Sequence, residues 1–474
     1  MFSKQIVYLL FMSAILALSS IFQMGYANAY PNTAVNTFRK YINESEDGSL
    51  TGTSFTWIWS AILNIYFVGF IIGSIIAIPL ADRIGRKWCL VCGNSTNFVA
   101  AVLSTVSIIW LLPSLFLTSR IIFAIGAAIS MNSLVLLLQE SAPVFLRGLM
   151  SFNAEMAFVV TNMLGALAGM GSMLGTKLPW LIGVTCFPTF LSILLALHFP
   201  DSPQFLLLER SERRKAEKSV EFYHGTNGQD TAKVLMAYEK ETSKSSGSVK
   251  ELLNTEHVRS GLILGIVALQ ATTSIWPVIY YSTDFLIREN IDAELAELTS
   301  TLMLFVSCIS TTVGMLVVEH YSRRYLLLGC GFMNMSALSM FVLSAQFQNI
   351  WDGWKYGCIV AVVLHGVSYS FALGPISWFI TAELVPLQFR ALCQSLAISS
   401  NQTIALILCF VTLPLYDKFG APVLLPLFVI PGFLAMFYLL RYLPETRSRS
   451  IDEVITELMG AKYSMQLTEQ ATRT

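Results

Sequence analysis

The chain has 474 residues, of which 54% are hydrophobic and 13% charged, and its 30 basic and 30 acidic side chains sum to zero net charge. Soluble proteins carry about 25% charged residues, which excludes a water-soluble globule, and the lack of a basic surplus excludes a nucleic-acid footprint. A lipid-spanning helix needs about 20 apolar residues, and enough runs here meet that length to make the chain an all-α, polytopic membrane protein.

Lys4 precedes a first apolar run, Ile6 to Phe22. A signal peptide is one reading, with Ala27-Asn28-Ala29 as a cleavage site; a first membrane span is preferred, because the symmetry of the chain requires it. The polar stretch Asn32 to Thr53 follows. Within it, Asn43-Glu44-Ser45 is an N-glycosylation acceptor and marks an outer face. Asn94-Ser95-Thr96 and Asn401-Gln402-Thr403 fit the same pattern but lie in apolar runs. Further spans are expected at Trp57–Ala81, Trp88–Leu112, Ser114–Leu138, Leu149–Leu174 and Leu178–His198.

From Pro200 to about Arg259 the sequence turns polar, with basic residues interleaved with acids. Such a stretch cannot lie in hydrocarbon, so it reads as a solvated linker or a helical latch. Beyond it come Gly261–Ile287, Leu298–Val318, Tyr325–Ala345, Tyr356–Thr381, Ala391–Leu415 and Pro422–Leu440. The organisation is therefore two six-helix bundles (1–199 and 259–441), a central loop (200–258) and a tail (442–474). Lys and Arg crowd the loops after even-numbered spans, so the positive-inside rule places both termini and the central loop in the cytoplasm.

The halves echo each other at an offset of about 240 residues. Glu140 and Arg147 recur as Glu383 and Arg390, Arg86-Lys87 as Arg323-Arg324, and Pro200-Asp201-Ser202 as Pro444-Glu445-Thr446. Three echoes in register indicate an internal duplication, a recognised transporter design. The eight cysteines, including Cys89 and Cys92 in a C-x-x-C, lie in or beside apolar runs and read as packing residues.

These motifs, with Gly25-Tyr26, Asp82-Arg83-Ile84-Gly85-Arg86-Lys87, Tyr280-Tyr281-Ser282-Thr283, Gly374-Pro375-Ile376 and Trp378-Phe379, run through nearly the whole chain in a fixed order. The chain resembles the major facilitator superfamily, and within it the sugar-porter family that contains the facilitative glucose transporters. The resemblance implies twelve transmembrane helices in two pseudo-symmetric bundles.

Charged residues at the ends of spans, namely Arg86, Glu140, Arg147, Glu319, Arg323, Glu383 and Arg390, read as a cytoplasmic gate whose opposite charges can pair across the halves. An exposed pair contributes only about 0–1 kcal/mol, which suits a switch between states of similar energy. A carrier of a neutral polyol needs converging amides and hydroxyls. Gln270, Thr272, Thr273, Ser307, Trp378 and Asn401 are the candidates, and the resemblance supports Gln270, Trp378 and Asn401. Ala271, Trp276, Ser307 and Ser370 depart from the family's polar groups, and Glu155 stands where the family has a sugar-binding glutamine. An intramembrane carboxylate marks function: Glu155 suits a cationic solute, a coupling proton, or a sugar hydroxyl. Gly374-Pro375 breaks span ten and acts as a hinge. Arg120 reads as a packing residue and His365 as a buried structural histidine.

The expectation is a facilitative carrier of a small polar solute, foremost a hexose. The first span carries no acid for proton coupling, no cofactor is required, and the partners are the solute and the lipid bilayer. The other readings are an organic-cation or metabolite carrier on the same fold, and a non-transporting nutrient sensor. No metal cluster, nucleophile elbow or phosphate loop supports an enzyme.

Overall fold

The computed structural model describes residues 4–45, 52–142, 147–225, 229–241, 249–318, 320–348, 350–447, 449 and 451–459. Among these residues the regular structure is helical, and the chain divides into two compact units, Met1–Lys244 and Ser245–Thr474.

The first unit holds α1 (Lys4–Thr33), α2 (Val35–Ser45), α3 (Gly52–Ile84), α4 (Arg86–Ile109), α5 (Pro113–Ser141), α6 (Arg147–Gly169), α7 (Leu178–Gly183) and α8 (Cys186–His198). Three shorter helices follow: α9 (Pro203–Leu208), α10 (Arg213–His224) and α11 (Gln229–Glu241). Helix α1 continues eleven residues past the expected end at Phe22, because Tyr26, Asn28, Tyr30, Asn32 and Thr33 are all buried against neighbouring helices. The stretch expected to be a polar loop contains α2, whose Val35, Phe38, Tyr41 and Ile42 form one buried face at helical spacing. Asn43 is exposed on that helix, whereas Asn94 and Asn401 are buried and cannot carry a glycan.

Small residues let the helices approach. A Cβ on Gly165 would lie 2.5 Å from the Tyr26 carbonyl oxygen, so α6 meets α1 backbone to backbone there. The polar central stretch carries its own small core, in which Leu207, Ala216, Val220, Leu235 and Tyr238 bring α9, α10 and α11 together.

The second unit holds α12 (Val249–Asn254), α13 (Glu256–Gln270), α14 (Ile275–Arg288), α15 (Ala293–Val318), α16 (Arg323–Phe347) and α17 (Lys355–Ser368). It continues with α18 (Gly374–Leu384), α19 (Arg390–Phe419), α20 (Ile430–Tyr442) and α21 (Ile451–Met459). Among the described residues, two buried clusters run through it. One joins α13, α16, α18, α20 and α21 around Ala268, Leu327, Ile376 and Met436, and the other joins α12, α13 and α19 around Leu252, Leu269 and Ala397.

Among the described residues, 11 helical stretches are long and apolar enough to cross a membrane. The remaining expected span is α6, a helix of 23 residues whose first side chains lie outside the described set. Large apolar side chains such as Ile75, Phe187, Leu316 and Leu434 are exposed, which is stable only where lipid covers them. Four expected spans are subdivided among the described residues. The sixth divides into α7 and α8, the seventh into α13 and α14 around residues 271–274, and the tenth into α17 and α18 around Tyr369–Leu373, while short turns at Ala421–Val423 and Leu425–Val429 precede α20 in the twelfth.

Candidate functional site

The break between α13 and α14 has a local cause. The Thr272 hydroxyl donates to the Leu269 carbonyl at 2.7 Å and the Thr273 hydroxyl to the Gln270 carbonyl at 2.8 Å, so side chains compete for backbone acceptors. Pro277 has no N–H to offer the Thr273 carbonyl, which removes a rung of the ladder at the same place.

The break gathers three of the expected site residues. Asn401, on α19 and 1% exposed, donates from Nδ2 to the Leu269 carbonyl at 2.8 Å and to Thr273 Oγ1 at 3.4 Å. Thr273 Oγ1 in turn lies 3.2 Å from Gln270 Oε1, while Gln270 Nε2 is buried with no partner. Gln270, Thr273 and Asn401 thus form one hydrogen-bonded group with an amide donor to spare. An amide donates and accepts at once, which is what a hydroxylated, uncharged solute needs.

The other candidates lie elsewhere. Trp378, on α18, is partly buried against the Leu269–Ala397 cluster, and its carbonyl accepts from Gln394 Nε2. Ser307, on α15, faces α17, where a Cβ on Gly366 would sit 3.0 Å from its hydroxyl. That is a packing position. Glu155 lies on α6 in the other unit, partly buried, with neither hydrogen bond nor ion pair among the described residues.

Span ten does not break at Gly374 alone. A π-helical turn, Tyr369–Leu373, comes just before it, and a Cβ on Gly374 would lie 2.6 Å from the Tyr369 ring. Such turns carry one extra residue and concentrate at functional sites. His365 stands one turn earlier and is buried, as expected. Its Nε2 lies 3.0 Å from the Ser274 hydroxyl, and Asn334 Nδ2 donates to the His365 carbonyl at 2.9 Å and to the Ser368 hydroxyl at 2.9 Å. A cavity of about 20 Å³ adjoins this network, lined by Ser274, Ser282, Phe285 and His365 among others. Sequence reasoning missed Ser274 and Asn334, although both are polar residues within apolar runs.

In the first unit Arg120 is 2% exposed. It donates from Nη1 to the Ala27 carbonyl at 2.8 Å, with its guanidinium 5.5 Å from the Phe123 ring centroid. It fixes α5 against α1, the packing role expected of it.

The charged span ends pair within each unit. Arg86 Nε lies 3.0 Å from Glu140 Oε2, and its guanidinium stacks 5.0 Å from the Phe205 ring centroid. Glu140 also accepts from the Ser202 hydroxyl. Asp201 Oδ1 accepts from the Lys87 amide at 3.0 Å, and Lys87 Nζ donates to the Leu197 carbonyl at 2.8 Å. The second unit repeats the arrangement. Arg323 pairs with Glu383, which accepts from the Thr446 hydroxyl at 2.7 Å. Glu445 Oε1 accepts from the Arg323, Thr446 and Arg447 amides at 3.1, 3.0 and 2.9 Å, and Arg324 donates to the Leu440 carbonyl at 2.7 Å. Burial alone would raise the Glu445 pKa, but the Ser322 hydroxyl and the amides of Arg447, Arg323 and Arg324 outweigh it and hold it below the usual carboxylate value. Arg390 opens α19 without an ion pair among the described residues. Glu319 and the Arg147 side chain lie outside the described residues.

A family model described as "Sugar (and other) transporter" matches residues 12–458. The mouse protein "Solute carrier family 2, facilitated glucose transporter member 5" is 27% identical over 456 residues, covering 93% of this chain and 90% of the relative. Member 3 from Oryctolagus cuniculus is 26% identical over 472 residues, covering 96% and 93%. Among solved structures, the inward-open xylose transporter XylE of E. coli superposes with a TM-score of 0.76 at 18% identity, covering 94% of this chain and 99% of that one. The same protein bound to 6-bromo-6-deoxy-D-glucose gives 0.74 at 18% identity. These structural likenesses establish a shared fold.

Proposed function

The chain belongs to the sugar (and other) transporter family, and from that premise we propose that it is a facilitative carrier of a hexose, working by alternating access. It is a multi-pass membrane transporter with the major facilitator fold, not an enzyme. The similarity to facilitated glucose transporters supports sugar as the cargo and the plasma membrane as the location. The basic residues that follow even-numbered spans support cytoplasmic termini.

The observation that carries the proposal is the Gln270–Thr273–Asn401 group at the break of span seven. Helix ends there leave backbone groups free of the regular ladder, and three uncharged polar side chains surround them. Such a group exchanges water for sugar hydroxyls without leaving a charge to neutralise. Trp378 supplies an apolar ring of the kind that covers a sugar face. Ala27 and Asn28 occupy the first span where a proton-accepting acid would be needed, which supports uniport.

The test is uptake of radiolabelled hexose by the purified protein in liposomes, with and without a pH gradient. Saturable uptake that follows the sugar gradient alone is expected. Asn401→Leu, which removes the hydrogen bonds to the Leu269 carbonyl and the Thr273 hydroxyl, each of about 1 kcal/mol, should cut uptake efficiency about five- to thirtyfold. Uptake driven by the pH gradient would sink uniport, and no hexose uptake at all would sink the cargo.

A further inference from the structure

We propose that Glu155 and Asn162 form a recognition strip for an ammonium-bearing solute, so that the preferred cargo is an amino sugar rather than a neutral hexose. The inference rests on the carrier reading above and narrows its substrate.

Two side chains seven residues apart lie on the same face of a helix, which places Glu155 and Asn162 on one flank of α6. Both have acceptor oxygens with nothing to accept from. Glu155 is partly buried and has no hydrogen-bond or ion-pair partner among the described residues. Asn162 is 2% exposed; its Nδ2 donates back to the Phe158 carbonyl at 2.9 Å, and its Oδ1 is buried and unpartnered. A buried acceptor left unsatisfied is costly and a membrane-embedded carboxylate more so. The pair therefore calls for a ligand that donates, and one that brings positive charge.

Among the described residues of this unit, the buried cation Arg120 does not answer it. The register of α1 on α6 is fixed by Asn153 Nδ2 donating to Ser13 Oγ at 3.3 Å and by the Gly165–Tyr26 approach. Glu155 is thus level with about residue 15 of α1. Arg120 is held at Ala27, twelve residues further along, or about 18 Å by helical rise. A bare metal ion does not fit either. Glu155 and Asn162 are about 10 Å apart along the helix axis, whereas a cation such as Ca²⁺ holds its oxygens at about 2.3–2.6 Å. That separation suits a pyranose ring with a hydrogen bond at each end. A neutral hexose would satisfy the hydrogen bonds and leave the carboxylate charge uncompensated; a protonated amine on the same ring removes both deficits.

The experiment compares radiolabelled glucosamine, N-acetylglucosamine and glucose in liposomes containing the wild-type protein, E155Q and E155D. N-acetylglucosamine keeps the nitrogen and loses the charge. Wild type should take up glucosamine at least about tenfold more efficiently than either neutral sugar. In E155Q the ratio of glucosamine to glucose uptake should fall toward one, whatever the absolute rates, and E155D should keep part of the preference. In detergent, glucosamine should raise the unfolding temperature of wild type and not of E155Q, a readout that survives poor transport by the variant. Equal handling of the three sugars by wild type, or a preference unchanged in E155Q, overturns the proposal and leaves the hexose carrier standing. Glucose uptake that changes with pH in wild type and not in E155Q, without an amine preference, assigns Glu155 to a proton and also overturns it. Absence of uptake of all three sugars removes the carrier reading, and this inference with it.

Discussion

At the scale of single residues, the charged span ends show how tightly some positions are constrained. Gly85 precedes α4 with φ at +98°, and a Cβ there would lie 2.1 Å from Asp201 Oδ2. Left-handed backbone costs an L-residue about 1–2 kcal/mol before any clash. Gly85→Ala should therefore lower the unfolding temperature of the purified protein, and an unchanged melting curve would show that the Asp201 contact yields freely. Glu445 makes a prediction with a sign. Its carboxylate is held below its ordinary pKa, so the stability it contributes is present above the unfolded value and is lost as pH falls through the folded one. Glu445→Gln should flatten the acid side of the stability profile and leave the profile above neutrality parallel to wild type. Gln270, Thr273 and Asn401 were legible in the sequence because an amide or hydroxyl in an apolar run stands out. Asn162 and Asn334 stand out equally. What separates them is which neighbours they meet, and that depends on helix azimuths that one chain's pattern does not give.

At the scale of elements, the apolar runs located the membrane helices because hydrophobic length is a strong signal. The breaks were less visible. Gly374-Pro375 announced a discontinuity in span ten, but the π-helical turn sits before it, at Tyr369–Leu373, where no glycine or proline marks it. The division of span seven was announced only by Pro277 with Thr272 and Thr273 upstream. Helix α2 was taken for loop because its polar composition hid a four-residue apolar face. If the turn and Gly374-Pro375 act together as a hinge, Pro375→Ala restores a backbone donor and stiffens α18, while Trp378→Ala removes the ring that follows. Each should lower maximal uptake several-fold at unchanged surface expression. Wild-type turnover in both would leave span ten a static kink.

At the scale of the whole molecule, the duplication read from the sequence appears as two matching charge clusters. Each joins an arginine, a glutamate and a hydroxyl from a following loop: Arg86, Glu140 and Ser202 in one unit, and Arg323, Glu383 and Thr446 in the other. The sequence suggested pairing across the halves; the described pairs lie within them, because the loop after each sixth span folds back onto its own bundle. Neutralising Glu140 and Glu383 together removes both clamps and frees the helix ends they tie. The balance between inward- and outward-open forms should shift, as read by cysteine accessibility on either side of the bilayer. An unchanged balance would return these residues to simple anchoring.

The π-helical turn at Tyr369–Leu373 also sets a phase. One additional residue rotates everything downstream by about 100° around the helix axis, and Glu383 lies ten residues beyond Leu373 on that rotated segment. Its meeting with Arg323 is therefore timed by a bulge far up the same rod, and deleting any one residue of the bulge would swing the carboxylate away from its guanidinium without touching either.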